Sequence, residues 1–318
     1  MFSIFKKNKD QGVPGWASFF TAKEYQTFID LVKDYFNKLK VPFKMENGVI
    51  EFEEGNPLGF QSLGLGNLAQ NCKQSTLSHY KEIIAHHFGL MTNSLMDKKE
   101  FEDIADDFEQ VKQYIALRIY DDGYASHVGK ENVIGFELAE HLYTVLVFDL
   151  PETIAGVQPS YLDKWGKTKE ELFSLGIQNV RTNYEFPLFK EKIDGIDFYA
   201  VITDHFFSPN IYFDLNNQSE LLGVYGSVIA FPHRHTTLIY PIDTMNVVKV
   251  LHHLASMAYG MNVEGPGSIT NKLYWYNNNK LEEIVYGFED NTISITPSEG
   301  FVSMLNTLGD NEENKVLN

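Results

Sequence analysis

Thr168-Lys-Glu-Glu-Leu-Phe-Ser-Leu-Gly-Ile-Gln-Asn-Val-Arg181, then Leu188-Phe-Lys-Glu-Lys192, Asp194-Gly195 and Asp197-Phe-Tyr-Ala-Val-Ile202, is the stretch that decides the fold. Thr168 and Glu171 have the spacing of a capping box, in which each side chain satisfies a free backbone donor of the first helical turn. A helix is therefore expected from there to about residue 182. Beyond it, two short runs of strand-forming residues flank an Asp-Gly pair, which suits a tight hairpin turn. Pro187 stands just before the first strand, where its missing N–H does least harm. A helix leading into an antiparallel hairpin is not the alternating strand–helix pattern of a doubly wound sheet.

The same grammar recurs outward from this stretch. Thr21-Ala-Lys-Glu24 is a second capping box, followed by Tyr25, Phe28, Val32, Tyr35, Phe36 and Leu39 at helical spacing up to Pro42. Phe43–Glu46 and Val49–Phe52 flank Asn47-Gly48, the favoured pair for a type I′ turn. Two helices fit at about 75–90 and 97–114, and strands fit Ile115–Tyr120 and Leu142–Leu150. Further on, strands at Ser227–Phe231 and Thr236–Tyr240 precede a helix from Asp243 to about Tyr259. Leu273–Tyr276 and Leu281–Tyr286 form a third hairpin around Asn277-Asn-Asn279, and Thr292–Ile295 adds an edge strand before Pro297. The expected class is α+β, with mixed or antiparallel sheets built from hairpins and helices packed on them. Helix-then-hairpin occurs twice, which reads as two related halves. The expected organisation is a flexible N-terminus over 1–20, α+β halves over 21–150 and 151–296, and a polar acidic tail over 297–318.

Composition narrows the classes of function. Of 318 residues, 43% are hydrophobic, including 24 Phe and 17 Tyr, enough apolar mass for a large core and too much for a disordered chain. The formal net charge of −17 repels a phosphate backbone, so nucleic acid is not an expected partner and a basic protein or a small molecule is. Cys72 is the only cysteine, so no intrachain disulfide can form and a reducing cytoplasm is the expected compartment. No run approaches the roughly 18 apolar residues of a membrane span. At the start, Phe2, Ile4 and Phe5 precede Lys6, Lys7 and Lys9, the reverse of a secretory signal, and the segment is expected to fray.

One region resembles a known family. Gly226-Ser-Val-Ile-Ala-Phe-Pro-His-Arg-His-Thr-Thr-Leu-Ile-Tyr240 is similar to the YtpQ-like family of uncharacterised bacterial proteins, in which a strand enters a Pro-His or Pro-Ser step, a polar pair and a second apolar strand. The likeness continues through Ser268–Glu282 with its tyrosine-containing hairpin, and through Tyr161–Arg181. It reaches more faintly back to Gly59–Leu65, so that it touches most of 25–290. The resemblance implies a bacterial, intracellular protein and brings no established catalytic residues. The family often has an acidic residue where this chain has His235.

The most chemistry-bearing motif is His233-Arg234-His235. If the strand continues through it, both imidazoles project from one face and could share a metal, with Asp204, His205, His252 or His253 completing the set. The competing reading makes the motif a polar connection between strands. His79, His86 and His87 fall along a helix as ordinary core or surface histidines, and Cys72 reads as a small buried hydrophobe. Glu137 and His141 share a face if 136–141 is helical. Gly64-Leu-Gly66-Asn-Leu-Ala69 matches the dinucleotide pattern in letters only, because the region 20 residues on is itself helical. Arg234, Tyr274, Tyr276, Phe206 and Phe207 are the candidate partner contacts, aromatic and arginine side chains being good anchors. The expectation is a non-catalytic binding protein; the alternative is a metal-dependent hydrolase centred on His233 and His235. No cofactor is indicated.

Overall fold

A computed structural model of the chain describes residues 12–58, 61–151, 153–289 and 292–316. The Phe2–Lys9 segment and Gly59 lie outside the described residues. The chain divides into two compact units, the first made chiefly of residues up to Gln110 and the second chiefly of those after it, with the short stretches Leu150–Ile154 and Val263–Pro266 grouped with the first. The class is α+β, and the strand pairings given in all three sheets are antiparallel.

The first unit opens with α1 (Ala22–Leu39), whose capping box is complete: Glu24 N–H donates to Thr21 Oγ1 and Thr21 N–H to Glu24 Oε2. Lys40, left-handed at φ 57°, ends the helix two residues before Pro42. β1 (Phe43–Glu46), β2 (Val49–Phe52) and β3 (Ser62–Gly64) form a small sheet, with Asn47 and Gly48 both at positive φ as the hairpin requires. α2 (Gly66–Lys73) and α3 (Tyr80–Ile104) complete the unit, and the short α4 (Phe108–Val111) follows. One helix thus replaces much of the two expected over 75–114. Phe28, Phe36, Tyr80 and Phe88 fill the core with Cys72 among them. The dinucleotide-like glycines join an antiparallel strand to α2, and α3 stands where a second parallel strand would have to be.

In the second unit, β4 (Ile115–Asp121), α5 (Asp122–Val128), β5 (Gly135–Ala139), β6 (Leu142–Leu150) and β7 (Thr153–Gly156) give a four-stranded sheet, ordered β4-β6-β5 with β7 on β6. Residues 135–139 are strand rather than helix, so Glu137 and His141 do not share a helical face. α6 (Ser160–Trp165) and the capped α7 (Lys169–Asn183) lead into β8 (Leu188–Ile193) and β9 (Ile196–Ile202), joined through Asp194 and Gly195 at positive φ. A 3-10 segment (Ser208–Asn217) precedes β10 (Ser227–His233), β11 (Thr236–Pro241), α8 (Val247–Glu264), β12 (Leu273–Asn277), β13 (Lys280–Glu289), β14 (Thr292–Thr296) and α9 (Glu299–Val316). The strands lie in the order β14-β13-β12-β10-β11-β9-β8.

Period-two alternation gives this seven-stranded sheet two buried faces. Val228, Ala230, Leu238, Leu273 and Trp275 pack with Val247, Leu251 and Leu254 of α8 and with Phe301 and Met304 of α9. Ile229, Phe231, Ile239, Tyr274 and Tyr276 pack on the other side with Ile211 and Leu215 of the 3-10 segment. The stretch read as a polar tail from residue 297 is therefore a helix that closes the core. Phe301, Met304 and Leu308, spaced for one helical face, are the apolar signal within an otherwise polar run.

Candidate functional site

The His-Arg-His motif sits at the end of the β10–β11 hairpin. Ala230 pairs with Leu238 and His233 with Thr236, so β10 carries one extra residue between these points. That bulge contains Pro232, which suits a position where a ladder donor is missing. Arg234 and His235 form the turn, and the strand ends at His233.

The segment from Thr203 to Ser208 wraps this turn. Thr203 N–H donates to His235 O at 3.0 Å, and Ser208 N–H to Arg234 O at 3.2 Å. Arg234 N–H donates to Gly267 O at 3.0 Å. Gly267 has φ +72°, and a Cβ there would lie 2.4 Å from Arg234 Cδ, so the glycine leaves room for the arginine stem.

The histidines are held as neutral, defined tautomers. Arg234 Nε–H donates to His235 Nε2 at 3.1 Å, so His235 Nδ1 carries the proton that it gives to Thr203 O at 3.2 Å. Both ring nitrogens of His235 are engaged. His233 Nδ1 accepts from His235 N–H at 3.3 Å, which places the His233 proton on Nε2. His205 Nδ1 accepts from Phe207 N–H at 3.2 Å, leaving Nε2–H to donate to Glu185 O at 2.9 Å. Burial, helped by His235 and Arg234, pushes the His233 pKa down to about 4; burial and then Arg234 do the same for His235, also to about 4. Burial and the positive charge of Arg118 lower Arg234 to about 10.

Arg118 is the residue that sequence reasoning missed. It lies on β4 with Tyr120 two residues on, so the two side chains share a strand face. The 3-10 segment is tied to this strand by Asn210, whose Nδ2 donates to Leu117 O at 2.6 Å. The Arg118 Cζ stands 4.7 Å from the Tyr120 ring centroid and 5.5 Å from that of Phe206. Arg234 Cζ stands 4.1 Å from the same Phe206 centroid. Two guanidinium groups therefore share one ring, which is 36% exposed. Arg118 Nε is buried and has no hydrogen-bond partner. Among the described residues, no carboxylate forms an ion pair with either arginine. The nearby carboxylate, Asp149, accepts from Tyr184 O–H; burial raises its pKa, against the opposing effects of Tyr184, Arg118 and His205. A usable signal was present in the composition: the chain has three arginines, Arg118, Arg181 and Arg234, and the first stands in an otherwise apolar run.

The remaining sequence-predicted residues lie apart from this arrangement or inside the core. Tyr274, Tyr276 and Phe207 are buried, so they pack within the unit rather than face a partner, while Phe206 keeps its exposed edge. Asp204 is exposed. His252 Nδ1 lies 2.9 Å from Val248 O, and His253 Nε2 lies 2.8 Å from Asp194 Oδ2. Cys72 is buried, which pushes its thiol up to about 12 and leaves no thiolate for nucleophilic work. Among the described residues, the group of three side chains able to converge on a metal is Glu140, His141 and Glu283, not the His233–His235 pair. Glu283 there is already paired with Lys272 Nζ at 2.8 Å, and His141 Nδ1 lies 3.6 Å from Asp122.

The chain is similar to bacterial proteins of an uncharacterised family. It is 30% identical over 141 residues to a UPF0354 protein of Listeria welshimeri, a match that takes in 43% of this chain and 51% of the relative. A UPF0354 protein of Listeria innocua matches with the same identity and coverage, and one of Listeria monocytogenes is 31% identical over 140 residues. The chain thus spans about half the length of the curated relatives it matches. Relatives in an uncharacterised bacterial family are what the resemblance around His233–His235 led one to expect. No family model matches the chain, and no solved structure matches it. No helix among the described residues is long and apolar enough to cross a membrane.

Proposed function

We propose that the protein is a non-catalytic binding protein of the cytoplasm and that Arg118, Phe206 and Arg234 carry its recognition of a small molecule. The observation that carries this reading is the pair of guanidinium groups on one partly exposed aromatic ring, with no carboxylate among the described residues paired to either. Two of the histidines around them are committed. His235 and His205 spend both ring nitrogens on internal hydrogen bonds. The two guanidinium groups and His233 Nε2–H offer hydrogen-bond donation, which supports recognition. The acidic average of the chain suits a basic protein partner, but the arginine rim attracts the opposite sign, which favours the small-molecule reading.

The test is a thermal-shift screen of purified protein against fractionated bacterial metabolites, with recovered ligand identified by mass spectrometry. Binding to the native state alone raises stability by RT ln(1 + [L]/Kd), about 2.7 kcal/mol at 100 times Kd. The expected result is a saturable shift, unaffected by EDTA, with the ligand recovered intact. A ligand consumed in an EDTA-sensitive reaction, together with stoichiometric zinc or manganese lost in His233→Ala and His235→Ala, would replace this reading with the metal-dependent hydrolase.

A further inference from the structure

Resting on that binding reading, we infer that the group recognised at the rim is an oxyanion, a phosphoryl or carboxylate group of a small molecule, held by the guanidinium groups of Arg118 and Arg234. Three observations on different elements converge on it.

The first is the use of arginine itself. The chain holds 26 basic residues, of which three are arginine. Two of those three meet at Phe206, while the third, Arg181, is satisfied by Asp214 at 2.7 Å and by Phe213 O at 2.8 Å. Arginine differs from lysine in presenting a rigid planar fork that matches two oxygens of a carboxylate or phosphate at once.

The second is the missing partner. Partly desolvated like charges placed side by side repel, and a buried donor left unpaired carries a desolvation penalty. Arg118 Nε is such a donor, although the rest of its guanidinium hydrogen-bonds the Tyr120 hydroxyl. Stacking on Phe206 and Tyr120 gives each cation some compensation, but a ring face accepts no N–H in the plane of the guanidinium. Asp149 forms an ion pair with neither arginine among the described residues. An incoming anion would supply both the acceptor and the opposite charge.

The third is the donor that the neighbouring His233 adds to the two guanidinium groups. His235 Nε2, the acceptor closest to Arg234, is consumed by Arg234 itself, and the His233 tautomer leaves an Nε2–H donor. Donors gathered in this way favour a ligand that only accepts, as an oxyanion does. Gly267 serves the same end from outside the site, because a side chain there would occupy the path of the Arg234 stem.

The experiment titrates full-length protein with inorganic phosphate, and separately with malonate, following the melting temperature at constant ionic strength against a chloride control. The expected result is a saturable rise with at least one of them, the stronger of the two identifying phosphoryl or carboxylate as the recognised group. Arg118→Gln and Arg234→Gln should each weaken the apparent affinity at least tenfold. Should a variant fail to fold, the wild-type protein provides the readout through labelling by an arginine-directed dicarbonyl. The effective anion should slow modification of Arg118 and Arg234 several-fold and leave the exposed Arg181 unchanged. Melting shifts no larger than chloride gives, or labelling of Arg118 and Arg234 that neither anion slows, would overturn the assignment. If a neutral or cationic metabolite binds at the rim while both anions fail, the oxyanion assignment falls and the binding reading stands. If a ligand is turned over with metal, the binding reading falls by its own test.

Discussion

Gly267, His233 and His235 show how much of the site is set by single residues. Gly267→Ala places a Cβ 2.4 Å from Arg234 Cδ at a backbone φ of +72°, where L-residues are strained. The expected outcome is a loss of about 1–3 kcal/mol in denaturant unfolding and a displaced Arg234, seen as lost oxyanion stabilisation. His233 and His235 predict a pH dependence. Their folded pKa values, about 4, lie below the ordinary histidine value of 6.5, so the unfolded state binds protons first as pH falls. Stability contributed by keeping them neutral is full above pH 6.5 and declines as pH drops toward 4, by on the order of 1–3 kcal/mol for each histidine. Asp149, raised by burial, acts in the opposite sense over the carboxylate range, so the histidine step is best measured between pH 5 and 7. His233→Gln combined with His235→Gln should flatten the urea midpoint across that interval; an unchanged slope would contradict the assignment. The rarity of Arg118 and its place in an apolar run were legible, but its meeting with Arg234 was not, because nothing local says that a strand 116 positions earlier reaches that turn.

Elements with local chemical signatures were legible. Both capping boxes form, since a Thr and a Glu three apart satisfy each other's backbone whatever the rest of the chain does. Asn47-Gly48 and Asp194-Gly195 adopt the positive φ values that their hairpins need. Where tertiary burial decides, local reading fell short. α9 was hidden because its polar positions outnumber the apolar ones, and only a sheet face on which to lay Phe301, Met304 and Leu308 makes it a core helix. Phe301→Ala should therefore cost about 3–5 kcal/mol in equilibrium unfolding, whereas a residue in a solvated tail would cost almost nothing. The His-Arg-His motif fits either a continuing strand or a connection; beyond the Pro232 bulge the strand ends at His233, and Arg234 and His235, wrapped by 203–208, are the turn. Gly48→Ala offers a parallel check in the first unit. There a Cβ would meet the Trp16 ring at 2.6 Å at φ +77°, and a loss of about 1–3 kcal/mol is expected by thermal unfolding.

At the scale of the whole chain, a net charge of −17 accompanies a site with two arginines that form no ion pair among the described residues. A polyanion must approach the average field, while a small oxyanion need only reach the rim, so size becomes part of the selectivity. Duplex DNA is accordingly expected to show no gel shift even at low salt; retention there would mean that basic surface dominates after all. The α+β class was legible from the succession of helices and hairpins. The meeting of β4, the 203–208 segment and the 234 turn was not, because it depends on long-range sheet order. The most direct measurement compares wild-type protein with the Arg118→Gln/Arg234→Gln double variant in the same metabolite thermal-shift screen. The account predicts a saturable shift for the wild type and none for a folded double variant. Equal shifts in the two would contradict it.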